Sequence, residues 1–213
     1  MTAVIQFGYE KDGAEIYRQS FGTIAREADL ERFTDNEKPV VIRMIHACGM
    51  VDLAGDVVIS LDAVEAGTGA LENGKPIICD VEMVRRGIIK SRLARGNDVL
   101  CNITSEVAKD YALKHSTTRS AGCMESLKDD MAGAIIVIGN APTALFHLLE
   151  MLAGGLMPPA LIIGCPVGFV GAVESKEALI EYAGDVPFIT VRGRRGGSAI
   201  AASAVNALAG GVS

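Results

Sequence analysis

The sequence predicts an α/β protein, a three-layer α/β/α arrangement with a parallel sheet between helices and an N-terminal helical segment in front of it. Three observations carry this. Six short β-branched apolar runs recur from about residue 57 onward, and segments of helical period separate them. Hydrophobic residues make up 49% of the 213 residues and charged ones 22%, enough for a sizeable core. Strands alternating with helical patterns read as βαβ units whose sheet is covered on both faces. The length suits one domain, taken as residues 1–213, and no repeat, linker or low-complexity tract divides it.

The N-terminal segment comes first. Residues 14–28 read as a helix, with Ile16, Tyr17, Ile24, Ala25 and Ala28 on one side. Residues 36–48 read as a second helix. Asp35 or Asn36 is placed to cap it, and Pro39 falls in the first turn, where its missing N–H costs nothing. Val40, Val41, Met44, Ile45 and Cys48 form its buried stripe, and Gly49 ends it. His46, in "RMIHACGMVD" (43–52), stands one residue off that stripe in the last turn. There the helix dipole favours its protonated form, so it suits a group that holds and gives up a proton.

The six strand candidates are "DVVIS" (56–60), "PIICD" (76–80), "DVLCNI" (98–103), "AIIVIG" (134–139), "ALIIG" (160–164) and "PFITV" (187–191). Helical patterns follow at 62–73, 104–114, 119–131, 143–153, 173–183 and 198–208. In an open parallel sheet, ligands bind beyond the carboxyl ends of the strands. Those ends carry Asp80 with "VEMVRRG", then "GNAPTAL", "GCPVGFVGA" and "RGRRGGSAI", rich in glycine, proline and polar groups. Arg192, Arg194 and Arg195 beside Gly196 and Gly197, opening a helix at Ser198, have the pattern of an anion cradle, although such runs are commonly solvated turns. Arg85, Arg86, Arg92 and Arg95 form further basic clusters in a chain of net charge −6, a pattern suited to a polyanionic ligand.

Several function classes fall away. The absence of Trp, the 5% aromatic content and the acidic balance argue against a nucleic-acid surface. The five cysteines, Cys48, Cys79, Cys101, Cys123 and Cys165, include no C-x-x-C pair and read as reduced cytosolic thiols. "MTAVIQFGYEK" lacks a basic region followed by an apolar run, so no export signal is expected. The uncharged stretches Met131–Leu149 and Met151–Val173 are long enough for membrane spans, but glycines and prolines break both, and buried strands with packed helices produce the same excess. No phosphate loop, dinucleotide fingerprint or nucleophile elbow is present. His46, His115 and His147 lack metal-ligand spacing, so no metal site is expected. Asp80 lacks the second acidic pair a phosphoacceptor would need. Cys165 directly follows a strand, a position nucleophiles use, with His46 or His147 as base; a small buried hydrophobe is the plainer reading.

Six motifs, "YRQSF" (17–21), "RMIHACGMVD" (43–52), "TTRSAG" (117–122), "IGNAPTAL" (138–145), "GCPVGFVGAVESKE" (164–177) and "RGGSAIAASAVNAL" (195–208), together resemble the precorrin-8X methylmutases, in order and across nearly the whole chain. The resemblance implies a flavodoxin-like fold with a five-stranded parallel sheet, and an isomerase that moves a methyl group from carbon 11 to carbon 12 of precorrin-8X, giving hydrogenobyrinic acid in cobalamin biosynthesis. It implies His46 as the catalytic residue. It implies substrate contacts from Tyr17, Ser20, Arg43, Thr117, Arg119, Asn140, Val167, Gly168, Phe169, Arg195 and Gly196. It further implies no cofactor, a cytoplasmic homodimer, and a tetrapyrrole passed between neighbouring pathway enzymes, with neither nucleic acid nor membrane as partner. Cys123 and Arg86 depart from the family's usual residues. A hydrolase built on Cys165 and a non-catalytic corrinoid carrier stand as alternatives. The motifs are shared by enzymes of metal-free and cobalt-containing routes, so they leave the metal content of the substrate open.

Overall fold

A computed structural model describes residues 7–210. Met1–Gln6 lie outside the described residues, and with them the start of the stretch read for an export signal.

Both N-terminal helices form. Helix α1 (Gly13–Glu27) is capped by Asp12, whose carboxylate accepts the Ala14 N–H at 2.9 Å. Helix α2 (Lys38–Cys48) is capped by neither residue expected. Instead the Thr34 N–H donates to the Glu37 carboxylate at 2.8 Å, and the Glu37 N–H donates to the Thr34 hydroxyl at 3.4 Å. Asp35 pairs with Lys38 and Asn36 donates to Glu65, so neither is available to the helix end. Pro39 lies in the first turn, and Gly49 ends the helix in the left-handed region at φ 71°, its N–H donating to Ile45. The buried face is broader than the expected stripe. Ile42 and Arg43 join it, and Cys48 is only partly covered.

All six apolar runs are strands. A 3-10 turn (Val51–Gly55) leads into β1 (Val57–Ile59). Helix α3 (Ala63–Glu72), β2 (Ile77–Cys79), α4 (Glu82–Gly87), β3 (Val99–Leu100), α5 (Glu106–Lys114) and α6 (Arg119–Ser126) follow. Then come β4 (Ile135–Ile138), α7 (Pro142–Ala153), β5 (Leu161–Gly164), α8 (Ala172–Tyr182), β6 (Phe188–Val191) and α9 (Ser198–Leu208). The pattern expected over 119–131 stops at Ser126 and continues as a 3-10 turn at Lys128–Asp130. Helix α4 was not anticipated, because six residues are too few to show a period.

The sheet order is β1-β6-β5-β4-β2-β3. Its five strands β2 to β6 are parallel, and their order is the flavodoxin-like one. The expected five-stranded parallel sheet is therefore corrected to a six-stranded mixed one. β1 pairs antiparallel with β6, Val57 opposite Val191. It enters from the short 3-10 turn rather than through a crossover helix, so nothing imposes the parallel direction on it.

Strand alternation divides the core in two. Ile77, Cys79, Ile135, Val137, Leu161 and Ile163 face one layer, shared with residues of α2, α3, α4 and α9. Ile78, Ile136, Ile138 and Ile162 face the other, with residues of α5, α6, α7 and α8. Helix α2 thus covers the sheet beside α9, and α1 packs on α2 from outside. The two uncharged stretches are strands, loops and the short helices α7 and α8's start. Among the described residues no helix is long and apolar enough to cross a membrane.

Candidate functional site

His46 sits in the last turn of α2, where the Gly49 cap stops the helix. Its Nδ1 lies 2.8 Å from the Ser20 hydroxyl of α1. The Tyr17 ring is 5.3 Å away between centroids and the Phe21 ring 5.1 Å, edge-on. Positions 17, 20 and 21 share one side of α1, which is why a single helix can hold the imidazole from three directions. The other ring nitrogen, Nε2, has no hydrogen-bond partner among the described residues. A cleft of about 410 Å³ opens beside it, lined by Ser20, Thr23, Ile24, Glu27, Ile45, His46 and Val51 among others. Burial and the nearby Arg43 guanidinium lower the His46 pKa below 6.5. The expectation that the helix end would favour the protonated form is therefore corrected: desolvation and a like charge outweigh the dipole. Arg43 itself is only 4% exposed and lies under the Phe21 ring, 5.4 Å from its centroid, its pKa lowered by burial and by Arg92.

The remaining predicted residues collect at the carboxyl ends of β4, β5 and β6. Buried Asp80, at the end of β2, organises the first loop. One carboxylate oxygen accepts the Gly139 N–H at 3.1 Å, and the other accepts those of Asn140 and Ala141 at 2.9 Å each. Burial raises the Asp80 pKa while the three N–H groups pull it down. β2 and β4 flank the point where strand order reverses, so Asp80 closes the crevice between them. The Asn140 side is exposed. Thr117 and Arg119 are exposed at the start of α6, and their neighbour Thr118 bonds Thr143 of α7 at 2.8 Å. Val167 and Phe169 project from the loop after β5, 47% and 85% exposed. The Gly168 N–H donates to the Arg194 carbonyl, and the Gly197 N–H donates to the Cys165 carbonyl at 2.8 Å. Gly196 packs so closely on the Cys165 and Pro166 carbonyls that any Cβ would collide with them.

The arginines are mostly engaged within the chain. Arg195 pairs with Asp52 at 2.8 Å and with Asp56. Arg192 pairs with Glu177, and Arg85 and Arg86 both pair with Glu82. The anion cradle expected from the arginine side chains of "RGRRGGS" is in this respect corrected; among the described residues Arg194 alone of the three is without an ion pair, and it lies over the Phe169 ring. The Asp52–Arg195 pair brings the 3-10 turn that follows α2 to the loop after β6. The turn after the His46 helix is thereby tied to the loop that carries Arg195 and Gly196.

Cys165 is fully buried, and burial pushes its thiol up to about 12, which leaves no thiolate for a hydrolase. Among the described residues no group of three or more metal-ligating side chains is present. The larger clefts, about 680 Å³ beside Arg92 and Leu208 and about 710 Å³ between the ends of α7 and α8, contain no histidine.

Three contributors escaped the sequence reading. Phe21 was within a quoted motif, and its spacing from Tyr17 is the signal that could have found it. Asp56 and Lys176 carry none. Lys176 is wholly buried, and a lysine in "ESKE" reads as solvent-facing.

The family model described as precorrin-8X methylmutase matches residues 15–210. A relative from Pseudomonas aeruginosa, a precorrin-8X methylmutase, is 51% identical over 94% of this chain and 97% of its own. A cobalt-precorrin-8 methylmutase from Priestia megaterium is 38% identical over 91% and 86%. The solved precorrin-8X methylmutase of Thermus thermophilus superposes with a TM-score of 0.84 at 38% identity, covering 92% of this chain and 95% of that one.

Proposed function

From the premise that the chain belongs to the precorrin-8X methylmutase family, an isomerase family of cobalamin biosynthesis, we propose that His46 is its proton donor. The reaction converts precorrin-8X to hydrogenobyrinic acid. In this reading a methyl group moves from carbon 11 to carbon 12 of the macrocycle by a 1,5-sigmatropic shift. Protonating a ring nitrogen draws electron density from the conjugated system and lowers the barrier to migration, a task for one acid close to the ring.

The observation that carries the proposal is the His46 nest. In the imidazolium, Nδ1–H donates to Ser20, and Nε2–H points its proton to the cleft. Tyr17 and Phe21 hold the ring plane, so the proton is delivered at one orientation. In the free protein burial and Arg43 oppose the charged form. A ligand bearing several carboxylates reverses that balance when it arrives, so that His46 gains its proton with the substrate. Arg119, Thr117, Asn140, Val167, Gly168, Phe169 and the Arg195–Gly196 backbone form the rim that receives the macrocycle's edge.

We assign the metal-free substrate, on the 51% identity to a precorrin-8X enzyme against 38% to a cobalt-precorrin-8 enzyme. A cytoplasmic homodimer that passes its product to a neighbouring enzyme fits the family likeness; the exposed parts of Ile16 and Tyr17 on α1 are apolar surface for it. A mass in solution equal to one chain would exclude the dimer.

The test is turnover. Purified protein mixed with precorrin-8X should show the visible absorbance of hydrogenobyrinic acid, faster than with the cobalt-containing substrate. His46→Ala should lower kcat by at least about a hundredfold while still binding product. Near-normal turnover by that variant would refute the role of His46. Product binding without turnover by the wild type would instead leave the carrier reading.

A further inference from the structure

The loop after β6 carries three arginines, yet two of them are neutralised by Glu177, Asp52 and Asp56. The charge that reaches this loop from below is a different one. Lys176 of α8 is wholly buried, and its Nζ donates to the Arg195 main-chain carbonyl at 2.7 Å. The buried Cys165, with Asp56 and Glu177, favours the Lys176 charge, but burial outweighs them. Replacing water around an ammonium is costly, and one hydrogen bond to a neutral carbonyl does not recover it, so the placement calls for another account.

The Arg195 carbonyl and the Gly196 N–H belong to one peptide group. No peptide among the described residues is cis, so this N–H points opposite to the carbonyl, away from Lys176. Gly196 is partly exposed, and its N–H makes no hydrogen bond within the described residues. Its neighbours behave otherwise: the Gly197 N–H is taken by the Cys165 carbonyl and the Gly168 N–H by the Arg194 carbonyl. The Cys165 and Pro166 carbonyls fill the space a side chain at Gly196 would need, and the adjoining Gly197 N–H is fixed to the Cys165 carbonyl.

We propose that Lys176 is a positioning residue for the substrate, acting through the Arg195–Gly196 peptide: its ammonium pins and polarises that peptide from the buried side, so that the Gly196 N–H becomes a strengthened donor to a carboxylate on the rim of the macrocycle. The inference rests on the reading of the bound molecule as a tetrapyrrole polycarboxylate. A charge at one end of a hydrogen-bonded chain strengthens the donor at the other. The arrangement also keeps the cation itself from the ligand's carboxylates, which would otherwise draw it out of place.

The experiment compares wild type, Lys176→Met and Lys176→Arg with precorrin-8X as substrate and hydrogenobyrinic acid as the titrated ligand. Lys176→Met should raise KM and the product Kd on the order of tenfold with kcat within about threefold, and Lys176→Arg should recover most of the affinity. Unchanged affinity in Lys176→Met, or a loss confined to kcat, overturns the proposal. A second measurement needs no variant: in wild-type protein labelled with 15N-glycine, the Gly196 amide proton should move downfield when hydrogenobyrinic acid binds. An unmoved Gly196 signal with the ligand bound overturns the proposal even where Lys176→Met fails to fold. Wild type that neither converts precorrin-8X nor binds the product defeats the substrate assignment instead, and is seen before any variant is made.

Discussion

At the residue scale, the His46 proton is set by opposing forces of known sign. Burial and Arg43 lower its pKa, and Ser20 offers a partner to either form of Nδ1. A histidine whose folded pKa lies below its unfolded value of about 6.5 is disfavoured in its charged form by folding. Below that value the unfolded chain binds the extra proton more readily, so the His46 contribution is neutral at high pH and becomes destabilising as pH falls through and below about 6.5. His46→Gln should therefore lose less stability than wild type between pH 8 and pH 5.5, measured by urea unfolding. An equal loss in both proteins would show that His46 titrates normally. Ser20→Ala removes the Nδ1 partner without touching the rings. It should lower kcat by about tenfold and leave the product Kd nearly unchanged, and a change confined to Kd would make Ser20 a ligand contact instead.

At the scale of elements, the helix that presents His46 depends on its last residue. Gly49 stands at φ 71° with open space around its Cα, so the cost of a side chain there is backbone strain alone. Gly49→Ala should destabilise the protein by about 1 kcal/mol, read as a lower urea midpoint, and reduce turnover by displacing His46. Turnover unaltered at lower stability would mean the cap holds the fold but not the imidazole. Elements with long, unbroken periods were legible in the chain: α2, its glycine stop and all six strands could be placed from spacing alone. The α2 start was not, since Asp35 and Asn36 are competent capping residues whose side chains bond Lys38 and Glu65 instead, and the N-cap position falls on Glu37 with no side-chain bond to the helix. Nor was the direction of β1, because an apolar run looks the same parallel or antiparallel. At the site, His46, Ser20 and Tyr17 could be found through the motif they share. The engagement of Arg195 by Asp52 and Asp56 could not, because those partners lie about 140 positions away in sequence and only the fold brings them together.

At the scale of the whole molecule, the central strands and the edges differ in what protects them. β4 and β5 are flanked on both sides and buried along their whole length, whereas β1 and β3 are edges of three and two residues. Short edges limit pairing with other chains but also open first. Amides of β4 and β5 should therefore exchange with solvent only on global unfolding, and those of β1 and β3 earlier. The Asp80 loop tests the same physics where secondary structure says the opposite. Gly139, Asn140 and Ala141 are loop residues, yet their N–H groups bond a carboxylate buried at the centre of the sheet. To expose them the chain must break three hydrogen bonds and uncover a buried charge, which ties their opening to that of β2 and β4. These three amides should exchange with the core strands. The Gly196 N–H, with no bond to the described residues, should exchange quickly in the free protein and slow markedly with hydrogenobyrinic acid bound. If the Asp80 loop exchanged as fast as the Gly154–Gly155 turn, the carboxylate would be a local cap rather than the joint between the two halves of the sheet.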